Sequence, residues 1–206
     1  EDGEVSVIHL VVRAAAQALK EMESMNCSRL SLPLLGIHGC FSRQSVDVSV
    51  LSVNKSKKTR FITVKDAGSM KVEEIVEYLE SRKKCMHLET PSAGQVVRSF
   101  VLDVLGLQQP PKQDQGSCLI VTSPDLDSSE VDIEIAPRGN FNAVIVVGGV
   151  RLSRVNSPEP PSPRRPPPRP EPILSMTLTI DNPACSVGDG RRFAERLHNL
   201  IEFPDD

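Results

Sequence analysis

Aromatic side chains are scarce: the 206 residues contain no Trp, one Tyr and six Phe, 3% in all. Stacking platforms for bases and aromatic ligand cages need such rings in number, so little material exists for either. Positive charge is not in excess. Lys and Arg total 24 against 27 Asp and Glu, a formal charge of -3, which leaves no global field to hold a phosphate backbone. Nucleic acid is therefore disfavoured as a partner. The longest apolar run, Ala143 to Gly149, falls far short of the roughly 20 residues that cross a bilayer. The start carries no basic-then-apolar leader pattern, so no membrane partner is expected. The five cysteines (Cys27, Cys40, Cys85, Cys118, Cys185) are odd in number, widely spaced and without a C-x-x-C pair. That fits neither a disulfide framework nor a zinc ribbon. The expectation is reduced thiols in a cytoplasmic or nuclear protein, with no metal and no cofactor. Because the chain opens on Glu1 rather than Met, it is expected to be a piece of something longer.

Proline is the exception, with 17 residues where about 10 would follow from about 5% usage. Nine of them fall in Asn156 to Pro172 (NSPEPPSPRRPPPRPEP), a stretch with no large apolar residue that reads as polyproline II or a disordered linker. The rest of the chain is patterned. Val5, Ile8, Val11, Val12, Ala15, Ala18, Leu19 and Met22 form an amphipathic helical stripe. SRLSLPLL reads as a strand after it, and GIHGCFS, Gly36 to Ser42, as a small glycine-bearing loop. Val46 to Val53 fits both strand and helix spacing, with β-branched content favouring the strand. Phe61 to Val64 reads as a strand. Ser69 is the expected N-cap of a helix with a Val72, Ile75, Val76 and Leu79 stripe. A further helix is expected from Ser92 to Gly106. Cys118 to Thr122, Val131 to Ile135 and Asn142 to Val150 suggest an antiparallel meander, Ile173 to Ile180 another strand, and Arg191 to Phe203 a closing helix.

The run from Val11 to Leu79 resembles the C-terminal half of a macrodomain. The points of contact are the helix VVRAAAQALKEMESMNC, the strand SRLSLPLL, the loop GIHGCFS, and the strand and helix of TRFITVKDAGSMKVEEIVEYLE. In that family a P-x-L-[GS]-x-G-[VI]-[FY]-G type loop surrounds the diphosphate of ADP-ribose with backbone amides. Pro33, Leu35, Gly36, Gly39, Cys40, Phe41 and Ser42 take its positions here, with one extra residue around Ile37 and His38. The resemblance covers about a third of the chain, and the family's upstream G-D-I and N-A-A-N segments have no counterpart. It implies ADP-ribose or an ADP-ribosylated protein as partner.

Five other features are weighed for chemistry in the residues. Arg164, Pro167 and Pro170, and Pro160, Pro163 and Arg165, match the two orientations of an SH3-type ligand. Ser157 and Ser162 precede proline, and SPRR resembles a proline-directed kinase site. SVGDGRR, Ser186 to Arg192, could be a second anion site through Gly188 and Gly190, but a helix-entry turn is favoured. Cys85 with His87, and the acidic run Asp125, Asp127, Glu130, Asp132 and Glu134, carry no metal-site pattern.

The fold class expected is α/β or α+β, a mixed sheet with flanking helices, a β-rich middle and a Pro-rich tether. The expected division is residues 1–84, a macrodomain-like half; 85–155, a helix and meander of the same domain; 156–172, the linker; and 173–206, a strand and helix docking back. The function read from this is a non-enzymatic binding or scaffold module recognising ADP-ribose or a related diphosphate through Gly36, Ile37, His38, Gly39, Cys40, Phe41 and Ser42. The alternatives are a structural subunit with protein partners, an SH3-type arm and no small-molecule site, or an ADP-ribosyl hydrolase completed by upstream segments. No catalytic residue is assigned.

Overall fold

A computed structural model describes residues 5–32, 37–53, 59–85, 116–122, 141–152, 172–180 and 185–204. The elements in chain order are α1 (Val7–Glu21), β1 (Cys27–Leu32), β2 (Ile37–Ser42), β3 (Val48–Val53), β4 (Thr59–Val64), α2 (Val72–Cys85), β5 (Cys118–Thr122), β6 (Ala143–Leu152), β7 (Pro172–Ile180) and α3 (Val187–Glu202). The fold is mixed α/β, with a five-stranded sheet in the order β4-β3-β5-β6-β7 and a separate antiparallel pair, β1-β2. Inside the large sheet β3, β5 and β6 run parallel, while β4 and β7 pair antiparallel at the two edges.

Among the described residues, three helices lie against this sheet: α2 touches β4, α1 sits over β3 and β5, and α3 touches β7, with α1 packed between the other two. Close approach is set by composition. Ala14, Ala15, Ala16 and Ala18 of α1 are all buried, so the helix meets its neighbours with almost no side-chain bulk on several positions. The core between the layers takes Val11, Val12 and Leu19 from α1, Ile75 and Leu79 from α2, and Phe193, Leu197 and Leu200 from α3. From the sheet come Val48, Val50, Ile62, Val64, Ile120, Ile145 and Val147. Leu119, Val121, Phe141, Val144 and Val146 form a second buried cluster, as strands alternating side chains between two covered faces require.

Helix entries explain local boundaries. Ser186 caps α3, its hydroxyl accepting from Asp189 N–H at 3.0 Å, and Gly190 lets the first turn rest on β7, since a Cβ there would sit 2.5 Å from Cδ1 of Ile180. SVGDGRR is thus a helix entry, and the closing helix begins four residues before Arg191. Ser69 lies in the turn before α2, donating to the Asp66 carbonyl at 2.9 Å, while Glu74 reaches back to the Lys71 N–H at 2.7 Å. The cap therefore falls two residues later than the sequence suggests.

At α1 the capping pair is Ser6 and His9: His9 Nδ1 accepts from the Ser6 N–H at 3.0 Å, and its buried Nε2 has no hydrogen-bond partner among the described residues. Burial, then the Lys83 ammonium of α2, lower the His9 pKa from 6.5, partly opposed by Glu80 of the same helix. Unfolded His9 therefore binds a proton more readily than folded His9. Its contribution to stability is complete above about pH 6.5 and is lost as pH falls below that value. Replacing His9 with Gln, which can serve the same capping position, should flatten the fall in urea midpoint between pH 7 and 5; an unchanged slope would show that His9 is not its source.

Two expectations are corrected by this architecture. Ile37 to Ser42 is strand β2 and not a loop, paired residue for residue with β1 from Cys27↔Ser42 to Leu32↔Ile37. Successive amides of an extended strand point in opposite directions and alternate ones enter the ladder, so they cannot converge on one anion. Gly39 sits within that strand; Gly36 lies outside the described residues. The middle of the chain is no antiparallel meander, because β5 and β6 are neighbours and parallel, with Cys118↔Ala143 to Thr122↔Val147 in register. β3 of the first half pairs with β5, and α1 packs on the C-terminal α3.

The Ser92 to Gly106 helix, the 131–135 strand, the acidic run from Asp125, and Pro160, Pro163, Arg164, Arg165, Pro167 and Pro170 of the SH3-type segment all lie outside the described residues. So do Ser157, Ser162 and His87. Among the described residues no helix is long and apolar enough to cross a membrane, and no cluster of three His, Cys, Asp or Glu could hold a metal.

Candidate functional site

Three of the buried polar residues, Asn26, Ser117 and Asn142, lie around the turn that leads from α1 into β1. α1 stops at Met22, and the chain turns through Met25 and Asn26, whose N–H groups both bond the Met22 carbonyl, at 3.0 and 3.2 Å. This turn delivers Asn26 and Cys27 beside the starts of β5 and β6. Asn26 is pinned on three sides: its Nδ2 donates to the Ser45 carbonyl at 3.1 Å and the Arg43 carbonyl at 3.4 Å, and its Oδ1 accepts from the Ser117 hydroxyl at 2.9 Å. Asn142, just ahead of β6 and 1% exposed, donates from Nδ2 to the Met25 carbonyl at 3.2 Å, to the Cys27 carbonyl, and to Cys27 Sγ at 3.2 Å. Its Oδ1 is buried with no partner among the described residues.

Two thiols meet in this corner. Cys27 Sγ lies 3.5 Å from the Ser24 carbonyl oxygen, and Cys185 Sγ, from the residue before the α3 cap, lies 3.8 Å from the same oxygen. Both cysteines are buried, whereas Cys40 on β2 is exposed. The hairpin register pairs Cys27 with Ser42 and Arg29 with Cys40, which puts Cys40 diagonally across from Cys27 on the same face of the ladder.

The electrostatics follow from those neighbours. The Cys27 pKa is lowered from 9.0 to about 6, first by the Cys185 S–H hydrogen bond, then by hydrogen bonds from Cys40 and Asn142 and by the Arg43 charge, against the opposing effect of burial. Cys118, fully buried with no such donors, shows the contrary case, its thiol pushed up to about 12 by burial. The surroundings thus push the two thiols in opposite directions, Cys27 toward its thiolate and Cys118 away from it. Arg43 is held in place as its N–H donates to the Asn26 carbonyl at 2.9 Å and its guanidinium lies 3.9 Å from Asp47 Oδ2.

Of the residues expected to bind a ligand whose side chains are described, Cys40 joins this corner, and Phe41 and Ser42 lie beside it on β2, exposed. Cys27, Cys185 and Asn142 were not singled out by sequence reasoning. The cysteines give no spacing signal, since they come together only through the α1–α3 packing. Asn142 did leave one: a lone amide directly ahead of the apolar run AVIVV is buried polar material that must have a partner.

No protein-family model matches the chain, and no curated protein sequence does. Solved structures do resemble it. A dihydrolipoamide acetyltransferase of Azotobacter vinelandii, studied for the roles of a serine, a histidine and an asparagine in its catalytic mechanism, aligns with a TM-score of 0.63 at 15% identity over 97% of this chain and 69% of that one. A truncated catalytic core of the 2-oxoacid dehydrogenase multienzyme complex from Thermoplasma acidophilum gives 0.62 at 14% identity over 98% and 77%. A chloramphenicol acetyltransferase gives 0.53 at 10% over 95% and 78%. Because these likenesses span almost the whole chain, they overturn the macrodomain resemblance, and with it ADP-ribose or an ADP-ribosylated protein as the partner and a non-enzymatic ADP-ribose-binding module as the function. What the chain shares with them is a fold, that of acetyltransferase catalytic cores.

Proposed function

We propose that this chain is an acyl-transfer domain acting on thioesters, with Cys27 as the group that receives the acyl unit. The observation that carries the reading is the Cys27 thiol itself, held ionised at neutral pH by Cys185, Cys40, Asn142 and Arg43. A thiolate attacks a thioester carbonyl without a general base to deprotonate it. The Cys27 Sγ–carbon bond forms, the carrier's carbon–sulfur bond breaks, and the carrier leaves as a thiolate. A second carrier thiol then reverses the exchange.

Support also comes from the fold of the neighbouring structures, among them a dihydrolipoamide acetyltransferase and a chloramphenicol acetyltransferase. Among the described side chains, two histidines are placed. His9 is taken up by the α1 cap, and His198 is exposed on α3 beside Glu202 at 3.3 Å. The segment Asp181 to Ser186 between β7 and α3 contains none. Incubation with acetyl-coenzyme A should place one hydroxylamine-labile acetyl group on the peptide containing Cys27. Cys27→Ala should abolish it and Cys40→Ser should not. Acetylation confined to the exposed Cys40, or absent altogether, would overturn the reading.

A further inference from the structure

We propose that Cys40, Cys27 and Cys185 constitute a thiol–disulfide exchange site that takes small soluble disulfides and ends as a Cys27–Cys185 disulfide. The proposal goes beyond acyl transfer and does not depend on it. Its geometric basis is the convergence of two buried thiols on the single Ser24 carbonyl oxygen, at 3.5 and 3.8 Å, with an exposed third thiol diagonal to one of them across the hairpin. The exposed Cys40 is where a soluble disulfide first meets the protein, and the buried Cys27 and Cys185 supply the resolving thiols behind it.

The steps balance without further reagents. The Cys40 thiolate attacks one sulfur of the small disulfide, forming a mixed disulfide and releasing one small thiol. Cys27, as thiolate, attacks the Cys40 sulfur; the Cys27–Cys40 bond forms and the second small thiol leaves. Cys185 gives up its proton to solvent and attacks the Cys27 sulfur, the Cys27–Cys185 bond forms, and Cys40 is released as a thiolate that takes a proton. The net change is two protein thiols oxidised and one small disulfide reduced to two small thiols. Attack by Cys27 is favoured by its ionisation near neutral pH, where the attacking thiol is most effective. Cys185 stands at the N-terminal end of the 16-residue helix α3, where a thiolate is stabilised by the helix dipole. The bond would tie β1 to the start of α3 and remove Cys27 as a nucleophile.

The test treats the full chain with oxidised glutathione and maps peptides without reduction. A cross-linked pair containing Cys27 and Cys185 is expected, with Cys118 still reduced, and dithiothreitol should restore all thiols. Cys185→Ser should arrest the sequence at a Cys27–Cys40 link, and Cys27→Ser should leave Cys40 carrying glutathione with Cys185 reduced. Glutathione on Cys40 in the unaltered chain, with both Cys27 and Cys185 free, would overturn the proposal, as would a bond to Cys118. The unaltered chain is decisive even where a variant fails to fold. Failure of acetylation at Cys27 with the cross-link formed would sink the acyl-transfer reading alone.

Discussion

Phe193→Ala should lower the unfolding free energy by about 3–5 kcal/mol, the usual range for truncating a fully buried Phe. Phe193 is completely buried and belongs to the core that α3 shares with α1 and the sheet. The rest of that attachment is weaker. Leu197 and Leu200 are buried beside it, but the fork from Arg196 to Glu21, two bonds of 2.7 Å, is about a third to a half exposed, and an ion pair in that setting contributes up to about 1 kcal/mol. Against a total stability of roughly 5–15 kcal/mol for a domain, losing Phe193 removes much of what holds α3. Because Cys185 rides on the α3 entry, the thiol corner should loosen with it. Guanidinium unfolding followed by circular dichroism gives the stability, and Cys27 alkylation on the same protein gives the corner. An unchanged midpoint would mean that α3 is anchored by something other than this side chain.

Asn142→Asp keeps the shape of the side chain and reverses its sense. The wild-type Nδ2 faces three acceptors, the carbonyls of Met25 and Cys27 and the Cys27 sulfur. A carboxylate oxygen in its place would leave two buried carbonyls without a donor and set a negative charge against the thiolate. An uncompensated buried charge costs about 3–5 kcal/mol unless the group protonates instead. The expected result is a loss of that order in stability, together with a rise of the Cys27 pKa back toward its ordinary value. Thermal unfolding and the pH dependence of Cys27 alkylation report the two effects separately. If the variant were as stable as the wild type with an unmoved Cys27, Asn142 would not be the clamp described above.

The elements that were legible in the sequence are those whose periodicity is read locally. The α1 stripe of Val11, Val12, Ala15, Ala18 and Leu19 is buried, as are Ile75, Val76 and Leu79 of α2, because amphipathic spacing states which side of a helix must leave water. The strand reading of Val46 to Val53 held over Val48–Val53. Direction was not legible: CLIVT and AVIVV are short apolar runs, and nothing within such a run says whether its neighbour is parallel. The GIHGCFS segment failed for a related reason. Its glycines suggest a turn, yet the segment is strand because SRLSL lies antiparallel beside it, a long-range fact that overrides local propensity. Likewise the site depends on Cys27 and Cys185 meeting through helix packing, which their spacing in the chain does not signal.

The central claim is that Cys27 is ionised at neutral pH because of what surrounds it. The most direct measurement is the rate of iodoacetamide labelling at the Cys27 peptide as a function of pH, with Cys118 followed in the same digest. The account predicts a labelling profile for Cys27 with its midpoint at about pH 6, displaced from the ordinary 9.0, while Cys118 stays unlabelled across the range. A Cys27 midpoint at 9.0 would contradict it.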